Sequence, residues 1–148
     1  MKMLQFLAVV LTALALAPSG AHLFALPNKL ELSQDAYFTA QAIYRGWSLL
    51  GIILIVALAA DLGLAIGGRR QPGPCSLAAG AAVCLVLTLV VFFLWTYPAN
   101  QATANWTAVP QNWASLRLQW EYSHAVGAVL TFAALCLVTL SALRWRSG

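Results

Sequence analysis

The hydrophobic positions of this chain fall into four long apolar runs, which cover residues 4–21, 48–66, 77–95 and 125–143. Each run has 18 or 19 residues, and a bilayer core about 30 Å thick is crossed by about 20 helical residues. Only helices and closed barrels satisfy the backbone inside lipid, and continuous apolar runs indicate helices. The pattern therefore predicts an all-α fold, a four-helix transmembrane bundle. We expect one domain over residues 1–148, with helices at about 3–22, 34–67, 76–97 and 112–144.

Candidate N-cap residues predict that two of these helices begin well before their apolar runs. Ser33 can cap a helix that begins near Gln34 and has Asp35 in its first turn, and Asn112 can cap the last helix just after Pro110. From these caps, the second and fourth helices run past about 30 residues, which corresponds to more than about 45 Å. We expect both helices to project beyond the apolar layer of the membrane.

The composition is typical of a protein whose main solvent is lipid. Hydrophobic residues make up 61% of the 148 residues and charged residues 8%, whereas soluble domains carry roughly 25% charged residues. A lipid bilayer is therefore the expected partner, and we expect no separate soluble domain within these 148 residues. The net charge of +4 comes from short basic segments between the runs, so it does not indicate nucleic-acid binding.

These basic segments predict the orientation of the chain. Lys2, the Arg69-Arg70 pair and the C-terminal Arg144 and Arg146 lie in three segments on one side of the predicted bundle. By the positive-inside rule, these segments and both termini are cytoplasmic, in a multi-pass protein of a cytoplasmic or inner membrane. Residues 22–36 and 97–116 then face outward. An alternative for residues 1–21 is a cleaved signal peptide, because the first run ends in three small residues.

Polar and aromatic side chains collect at the outer ends of the four runs, in what we call the polar collar. His22 directly follows the first run, Arg45 and Trp47 lie just before the second, Trp95 ends the third and His124 precedes the fourth. Both histidines of the protein are therefore predicted to lie at the same membrane depth.

The fourth helix aligns further members of the polar collar. Trp113, Arg117, Trp120 and His124 are separated by four, three and four residues, which places them within about 60° of one another on a helix with about 100° per residue. Glu121 lies at the edge of this stripe, one turn from Arg117 and from His124. Glycine, alanine and threonine follow on the same stripe and permit close approach of a helix or a flat ligand.

Two interpretations of the polar collar remain open. One is an aromatic belt with snorkelling charges, although five of the six tryptophans lie on the predicted outer side and a belt should appear at both interfaces. The other is a functional pocket, because ionisable residues at membrane depth usually face a bundle interior. We then expect five side chains to converge, with Glu121 paired to an arginine: His22, Arg45, Arg117, Glu121 and His124.

Asp61 lies apart from the polar collar, inside the second apolar run and near its cytoplasmic end. It is expected to pair with Arg69 or Arg70 or to reach the interface. A proton relay is the alternative.

Several chemistries fit the polar collar. His22, Glu121 and His124 match the two-histidine, one-carboxylate ligand set of non-haem iron enzymes, and two histidines could hold a haem. Without metal or cofactor, a half-buried histidine could act as a base at neutral pH, while Arg117 or Arg45 stabilises the resulting anion and tryptophans hold a small aromatic molecule. A non-catalytic network that joins the helices or docks a partner is the remaining interpretation.

Four sequence blocks carry a resemblance to a known family. They are residues 21–33, which begin Ala-His-Leu-Phe-Ala-Leu-Pro, residues 41–47 (Gln-Ala-Ile-Tyr-Arg-Gly-Trp), residues 98–103 (Pro-Ala-Asn-Gln-Ala-Thr) and the segment from Trp113 to His124. Together they resemble a family of small four-helix membrane proteins of unknown function that is grouped with fungal anthrone oxygenases. The likeness to the oxygenases themselves is confined to the Pro98–Asn100 block and the Arg117–His124 helix.

The resemblance implies a four-helix fold and the oxidation of a tricyclic anthrone to an anthraquinone with O2 and no cofactor. On this view His124 is the base, Arg117 stabilises the oxyanion, and His22 and Glu121 complete the catalytic group. Residues that would contact a small aromatic or quinol-like substrate are Arg45, Trp47, Trp95, Asn100, Trp113 and Trp120. No metal ligand is implied.

Overall fold

The computed structural model describes residues 1–146. Its helices are α1 (Lys2–Glu31), α2 (Gln34–Gln41), α3 (Trp47–Gly67), α4 (Pro72–Ala102) and α5 (Trp113–Arg144). All except α2 are long and apolar enough to cross a membrane. The all-helical class and the four apolar helices predicted from the sequence are thereby confirmed.

The four long helices form a closed square in cross-section. α1 packs against α3 and α5, and α4 packs against the same two helices. The side chain of Leu4 near the start of α1 lies against Gly63 near the end of α3, so these neighbours are antiparallel. One end of the bundle therefore carries Arg69, Arg70, Arg144 and Arg146, and we call it the arginine end. The opposite end, where His22 and His124 lie, is the histidine end.

The first helix is longer than its apolar run predicts. α1 continues for nine residues beyond the predicted end at residue 22 and passes through Pro27 before it stops at Glu31. An apolar run measures the thickness of lipid that a helix crosses, not the length of the helix, so the polar residues after His22 do not end it. The extension places Lys29 two turns beyond His22 on the same face of α1.

The predicted second helix, residues 34–67, is broken in the structure. α2 ends at Gln41, a 3₁₀ turn covers Ala42–Tyr44, and Gly46 has φ +86° before α3 begins. This left-handed conformation is open to glycine without steric cost. The break separates a short outer helix from the membrane-crossing one.

The predicted third helix, residues 76–97, begins four residues earlier and ends five residues later as α4. Its segment Phe92–Thr96 is π-helical, and the Trp95 carbonyl accepts a hydrogen bond from the Gln119 side chain of α5 at 2.8 Å. π-Helical segments interrupt the regular hydrogen bonding of an α-helix and often lie at functional sites. Here the irregular segment lies at the histidine end.

The loop after α4 has an unusual backbone. Ala104, Asn105 and Trp106 all have positive φ, between 47° and 63°, a conformation that costs about 1–2 kcal/mol per ordinary residue. The Trp106 side chain is nevertheless buried, and its backbone N–H donates to the Thr103 hydroxyl at 3.1 Å. Burial of the indole offsets the strain of this loop.

Two hydrophobic clusters form the interior. The one between the membrane-crossing helices is rich in small side chains, with Ala8, Ala57, Ala78 and Ala134 all fully buried, and small residues let apolar helices approach closely in lipid. The second cluster lies at the histidine end and is aromatic. Its buried members are Tyr37, Ala99, Trp106, Leu116 and Trp120.

Asp61 is buried inside the bundle rather than at an interface. Its side chain is fully buried, and neither carboxyl oxygen has a hydrogen-bond partner within residues 1–146. The expected pairing with Arg69 or Arg70 is therefore wrong. Asp61 faces the bundle interior on the same side of α3 as Ala57 and Leu64, whereas both arginines are exposed beyond the end of that helix.

Candidate functional site

The centre of the histidine end is an ion pair between α1 and α5. The Lys29 ammonium lies 2.6 Å from Oε2 of Glu121, and both side chains are buried. The other oxygen, Oε1, accepts a hydrogen bond from the Tyr37 hydroxyl of α2 at 2.9 Å. Glu121 therefore joins three helices, and each of its oxygens has a partner.

Two tyrosines border this carboxylate. Burial, reinforced by the charge of Glu121, raises the pKa of Tyr37 well above its ordinary value. The same two causes raise the pKa of Tyr44, which lies just before the break at Gly46. Both phenols therefore stay protonated at neutral pH, and Tyr37 serves as a hydrogen-bond donor.

The two histidines touch each other across the α1–α5 interface. Their ring centroids are 4.2 Å apart with an interplanar angle of 50°. His22 is buried, while His124 is partly exposed. The structure thus brings together the two residues that the sequence placed at the same membrane depth.

The neighbours of each ring fix its tautomer. Nδ1 of His124 lies 2.9 Å from the backbone carbonyl of Trp120, which can only accept, so Nδ1 carries the proton and Nε2 has a free electron pair. Nδ1 of His22 lies 3.3 Å from the Lys29 ammonium, which can only donate, so a neutral His22 carries its proton on Nε2. The pair therefore offers one basic nitrogen and one N–H donor.

Aromatic rings surround the histidines. The Trp120 ring lies 4.9 Å from His22 and 4.0 Å from His124 between centroids. Tyr44 is 4.3 Å and Trp47 5.7 Å from His22. Residues on both sides of the break at Gly46 thus contact the same imidazole. We use the name polar cluster for His22, Lys29, Tyr37, Tyr44, Trp47, Trp120, Glu121 and His124.

Asn100 holds the polar cluster from the side of α4. Its Oδ1 accepts hydrogen bonds from the indole N–H groups of Trp120, at 2.8 Å, and of Trp106, at 3.2 Å. The Trp120 carbonyl also accepts from the Ser123 hydroxyl at 2.8 Å, and Ser123 lies 2.7 Å from the Thr96 hydroxyl in the π-helical segment. The position of Trp120, and with it the tautomer of His124, therefore depends on α4.

Arg117 lies at the outer edge of this arrangement. Its guanidinium donates to the Leu32 carbonyl at 2.9 Å and lies over the rings of Tyr37 and Trp113, at 5.4 and 4.8 Å from their centroids. The expected arginine partner of Glu121 is therefore replaced by Lys29. Arg117 lies two helical turns from His124, about 10 Å along the axis.

The remaining predicted residues lie outside the polar cluster. Arg45 is exposed next to the break. Its charge is hydrated there and avoids the free-energy cost of burial. Trp95 is 48% exposed and lines an outward-facing groove of about 520 Å³ together with Leu118 and Tyr122. Neither residue contacts the histidines, because the break at Gly46 and the π-helical segment turn them away.

The metal and haem alternatives find no support in this geometry. Within residues 1–146, no group of three histidine, cysteine or acidic side chains is arranged to hold a metal ion. Lys29 and Tyr37 already occupy the two oxygens of Glu121. A haem bound by both histidines would need its iron between the two imidazoles, whose ring centroids are only 4.2 Å apart.

Lys29 and Tyr37 are the members of the polar cluster that sequence analysis missed. Lys29 is the one basic residue in the loop predicted between the first two helices, and it follows His22 by seven residues, which is the spacing of one helix face. The assumption that the helix ended at residue 22 hid this relation. No local sequence pattern identified Tyr37 as a member of the cluster, because its hydrogen-bond partner Glu121 lies 84 residues away.

The histidine end therefore belongs to a membrane-type helical bundle with a buried acid–base cluster. A search among protein families, curated proteins and solved structures finds no match for this chain. The resemblance to the family that includes anthrone oxygenases accordingly stays a prediction from the four sequence blocks.

Proposed function

We propose that this protein is a membrane enzyme that oxidises a small aromatic or quinol-like compound with O2 and without a cofactor. The observation that carries the proposal is the contact between His22 and His124, whose rings are 4.2 Å apart and whose partners fix complementary tautomers. One imidazole can take a proton while the other donates a hydrogen bond to the anion that forms. The resemblance to anthrone oxygenases supplies the class of substrate.

The chemistry begins with proton removal. Nε2 of His124 takes a proton from an acidic ring carbon or hydroxyl, and the electron pair of the broken bond moves onto the substrate oxygen. The Nε2–H group of His22 donates a hydrogen bond to this oxyanion. Trp47, Tyr44 and Trp120 provide aromatic surfaces on which a flat ring system can stack.

Molecular oxygen completes the reaction. The substrate anion passes one electron to O2, and the two radicals combine to form a C–O bond. The His124 imidazolium returns its proton to give a hydroperoxide. Loss of the remaining C–H proton and cleavage of the O–O bond release water and leave a carbonyl. For an anthrone, a CH2 group and O2 become C=O and H2O; a quinol would instead give a quinone and H2O2.

Lys29, Glu121 and Tyr37 are positioning residues in this proposal. The ion pair holds the Lys29 ammonium against Nδ1 of His22, which keeps the proton of that ring on Nε2. Tyr37 holds the opposite side of the Glu121 carboxylate. This assigns to His22, oriented by Lys29, the anion-stabilising role that the resemblance implied for Arg117.

The test is oxygen consumption by the purified, chelator-treated full chain with a panel of hydroxy-anthrones and quinols. The wild type should consume O2 above the uncatalysed rate, and ¹⁸O2 should label the product carbonyl if the substrate is an anthrone. H124Q and H22Q should each lower the rate by about 100-fold or more, as loss of general acid–base catalysis does. K2Q, at the opposite end of α1, is the control and should keep the wild-type rate. A wild-type rate equal to background across the panel would exclude the proposal.

A non-enzymatic membrane protein is the second candidate. It is favoured by the close packing of the polar cluster, in which Glu121, His22 and Lys29 have at most 5% of their surface exposed. Satisfied buried networks can fix the arrangement of a bundle. In that case H22Q and H124Q should lower thermal stability while no member of the panel is turned over.

A further inference from the structure

The arginine end contains a cleft that no part of the proposed oxidation uses. It has a volume of about 780 Å³ and is lined by seven residues at the start of α4 and the end of α5, and we call it the arginine cleft. His22 lies about 30 Å away along α1 at 1.5 Å per residue. The residues that line the arginine cleft are Arg70, Gln71, Pro72, Gly73, Pro74, Arg144 and Arg146.

The walls of the arginine cleft are held together by specific contacts. The Gln71 side chain donates to the Arg146 carbonyl at 3.0 Å and accepts from the Arg146 N–H at 2.9 Å. The Ser141 hydroxyl donates to the Pro74 carbonyl at 2.8 Å. Trp145 covers Gly68, where an added Cβ would lie 3.1 Å from the indole. The C-terminal segment is therefore fixed against the loop before α4.

Within residues 1–146, no carboxylate forms an ion pair with an arginine of the arginine cleft. The chain has four acidic residues, and Lys29–Glu121 is the ion pair found within residues 1–146. Glu31 and Asp35 belong to the histidine end, and Asp61 is fully buried in α3. Three arginines thus face a common space without a neutralising group from the described chain.

The start of α4 adds to the positive electrostatic potential of the arginine cleft. The first turn of a helix presents unpaired N–H groups and a partial positive charge, which favour a phosphate. Pro72 and Pro74 have no N–H, so Gly73 supplies the backbone donor of this turn. Apart from its chain neighbours and the backbone of its own helix, no atom lies within 4 Å of the Cβ position at Gly73, so no other side chain covers this position.

We infer that the arginine cleft binds the phosphate headgroup of an anionic phospholipid. Guanidinium groups match phosphate oxygens with paired hydrogen bonds, and basic pockets between membrane helices are suited to anionic headgroups. The cleft lies at the end of helices that are apolar enough to cross a membrane, at the level of the headgroups. At the same end of the bundle, Leu143 is 76% and Ile66 65% exposed, which provides apolar surface for the acyl chains.

The test is a lipid titration of the detergent-purified full chain by native mass spectrometry, with phosphatidylglycerol as the probe and phosphatidylcholine as the neutral comparison. Phosphatidylglycerol should bind at least about 10-fold more tightly. R70Q, R144Q and R146Q should each weaken it roughly fivefold, and the triple variant about 100-fold. R69Q is the matched control, since Arg69 is an exposed neighbour that does not line the cleft. It should stay within twofold of the wild type, as should R45Q at the histidine end.

Three outcomes would overturn the inference. Equal affinity for the two lipids would remove the anionic headgroup as the ligand. Equal losses in R69Q and R70Q would assign the binding to diffuse charge rather than to the cleft. Displacement of phosphatidylglycerol by an equal concentration of inorganic phosphate would identify a site for free anions. If the triple glutamine variant does not fold, the R70K/R144K/R146K variant replaces it and should bind less tightly than the wild type, because lysine keeps the charge but loses the bidentate fork.

Discussion

Glu121 is a carboxylate without exposed surface, so its environment must supply what water would. Lys29 supplies an opposite charge at 2.6 Å, and Tyr37 supplies a hydrogen bond at 2.9 Å. Removing one member of a buried ion pair is far more costly than removing both, because the remaining charge has lost water and its partner. The stability of the histidine end should therefore depend on the two residues jointly.

K29M should lower the free energy of unfolding by about 3–5 kcal/mol, since it leaves the Glu121 charge buried and unpaired. K29M/E121Q should recover much of this loss, because no charge is then left in the site. Unfolding in detergent micelles, followed by circular dichroism, measures both variants. K2M is the control, and as a surface change it should stay within about 0.5 kcal/mol of the wild type. Wild-type stability in K29M would show that the pair contributes nothing.

At the scale of the elements, the irregular segments bring the polar cluster together. The turn at Gly46 directs Tyr44 and Trp47 onto His22, and the π-helical segment of α4 contacts Ser123 through Thr96. In a straight helix over residues 34–67, Tyr44 and Trp47 would lie on one face, about 60° apart around the axis, whereas in the structure the break at Gly46 lies between them. The positive φ of Gly46 is therefore part of the geometry of the site.

G46A should lower the free energy of unfolding by about 1 kcal/mol, because alanine adopts a left-handed conformation at a cost of this size. No atom lies within 4 Å of the added Cβ, so the effect comes from the backbone alone. G46N should cost less, since asparagine tolerates this conformation better. The matched control is G51A, where φ is −58° and the Cβ position is equally open. It should be neutral or stabilising, and equal losses in G46A and G51A would contradict the explanation.

At the scale of the whole molecule, the two ends differ in chemistry. One end carries four arginines in the loop before α4 and at the end of α5, while the other carries the polar cluster and the aromatic core. The positive-inside rule then predicts that the arginine end is cytoplasmic and the histidine end external. Substrates and lipids would reach the protein from opposite sides of the membrane.

Reporter fusions test this orientation directly. A fusion after Gly73 and one at the C-terminus should report a cytoplasmic location, because both lie at the arginine end. A fusion after Gln101 should report an external location. An external C-terminus would reverse the model and would place the arginine cleft in the outer leaflet.

The sequence by itself determined the helical class, the four apolar helices and the two histidines as partners at one depth. These features follow from local physics: run length measures lipid thickness, and a polar residue at membrane depth seeks the interior. The alignment of Trp113 and Trp120 on one helix face follows from the 3.6-residue period of a single helix. Such features need no knowledge of which helices are neighbours.

The tertiary structure alone decided which residue neutralises Glu121, which tautomer each histidine adopts and which tryptophans face the site. Lys29 and Glu121 are 92 positions apart, and a local pattern cannot choose between Lys29 and Arg117 as the partner. Arg45 and Trp95 lie at the predicted depth but outside the polar cluster, because the turn at Gly46 and the π-helical segment rotate them outward. The depth of a residue in the membrane follows from the thickness of the lipid layer. The direction in which its side chain points around the helix axis depends on packing between helices.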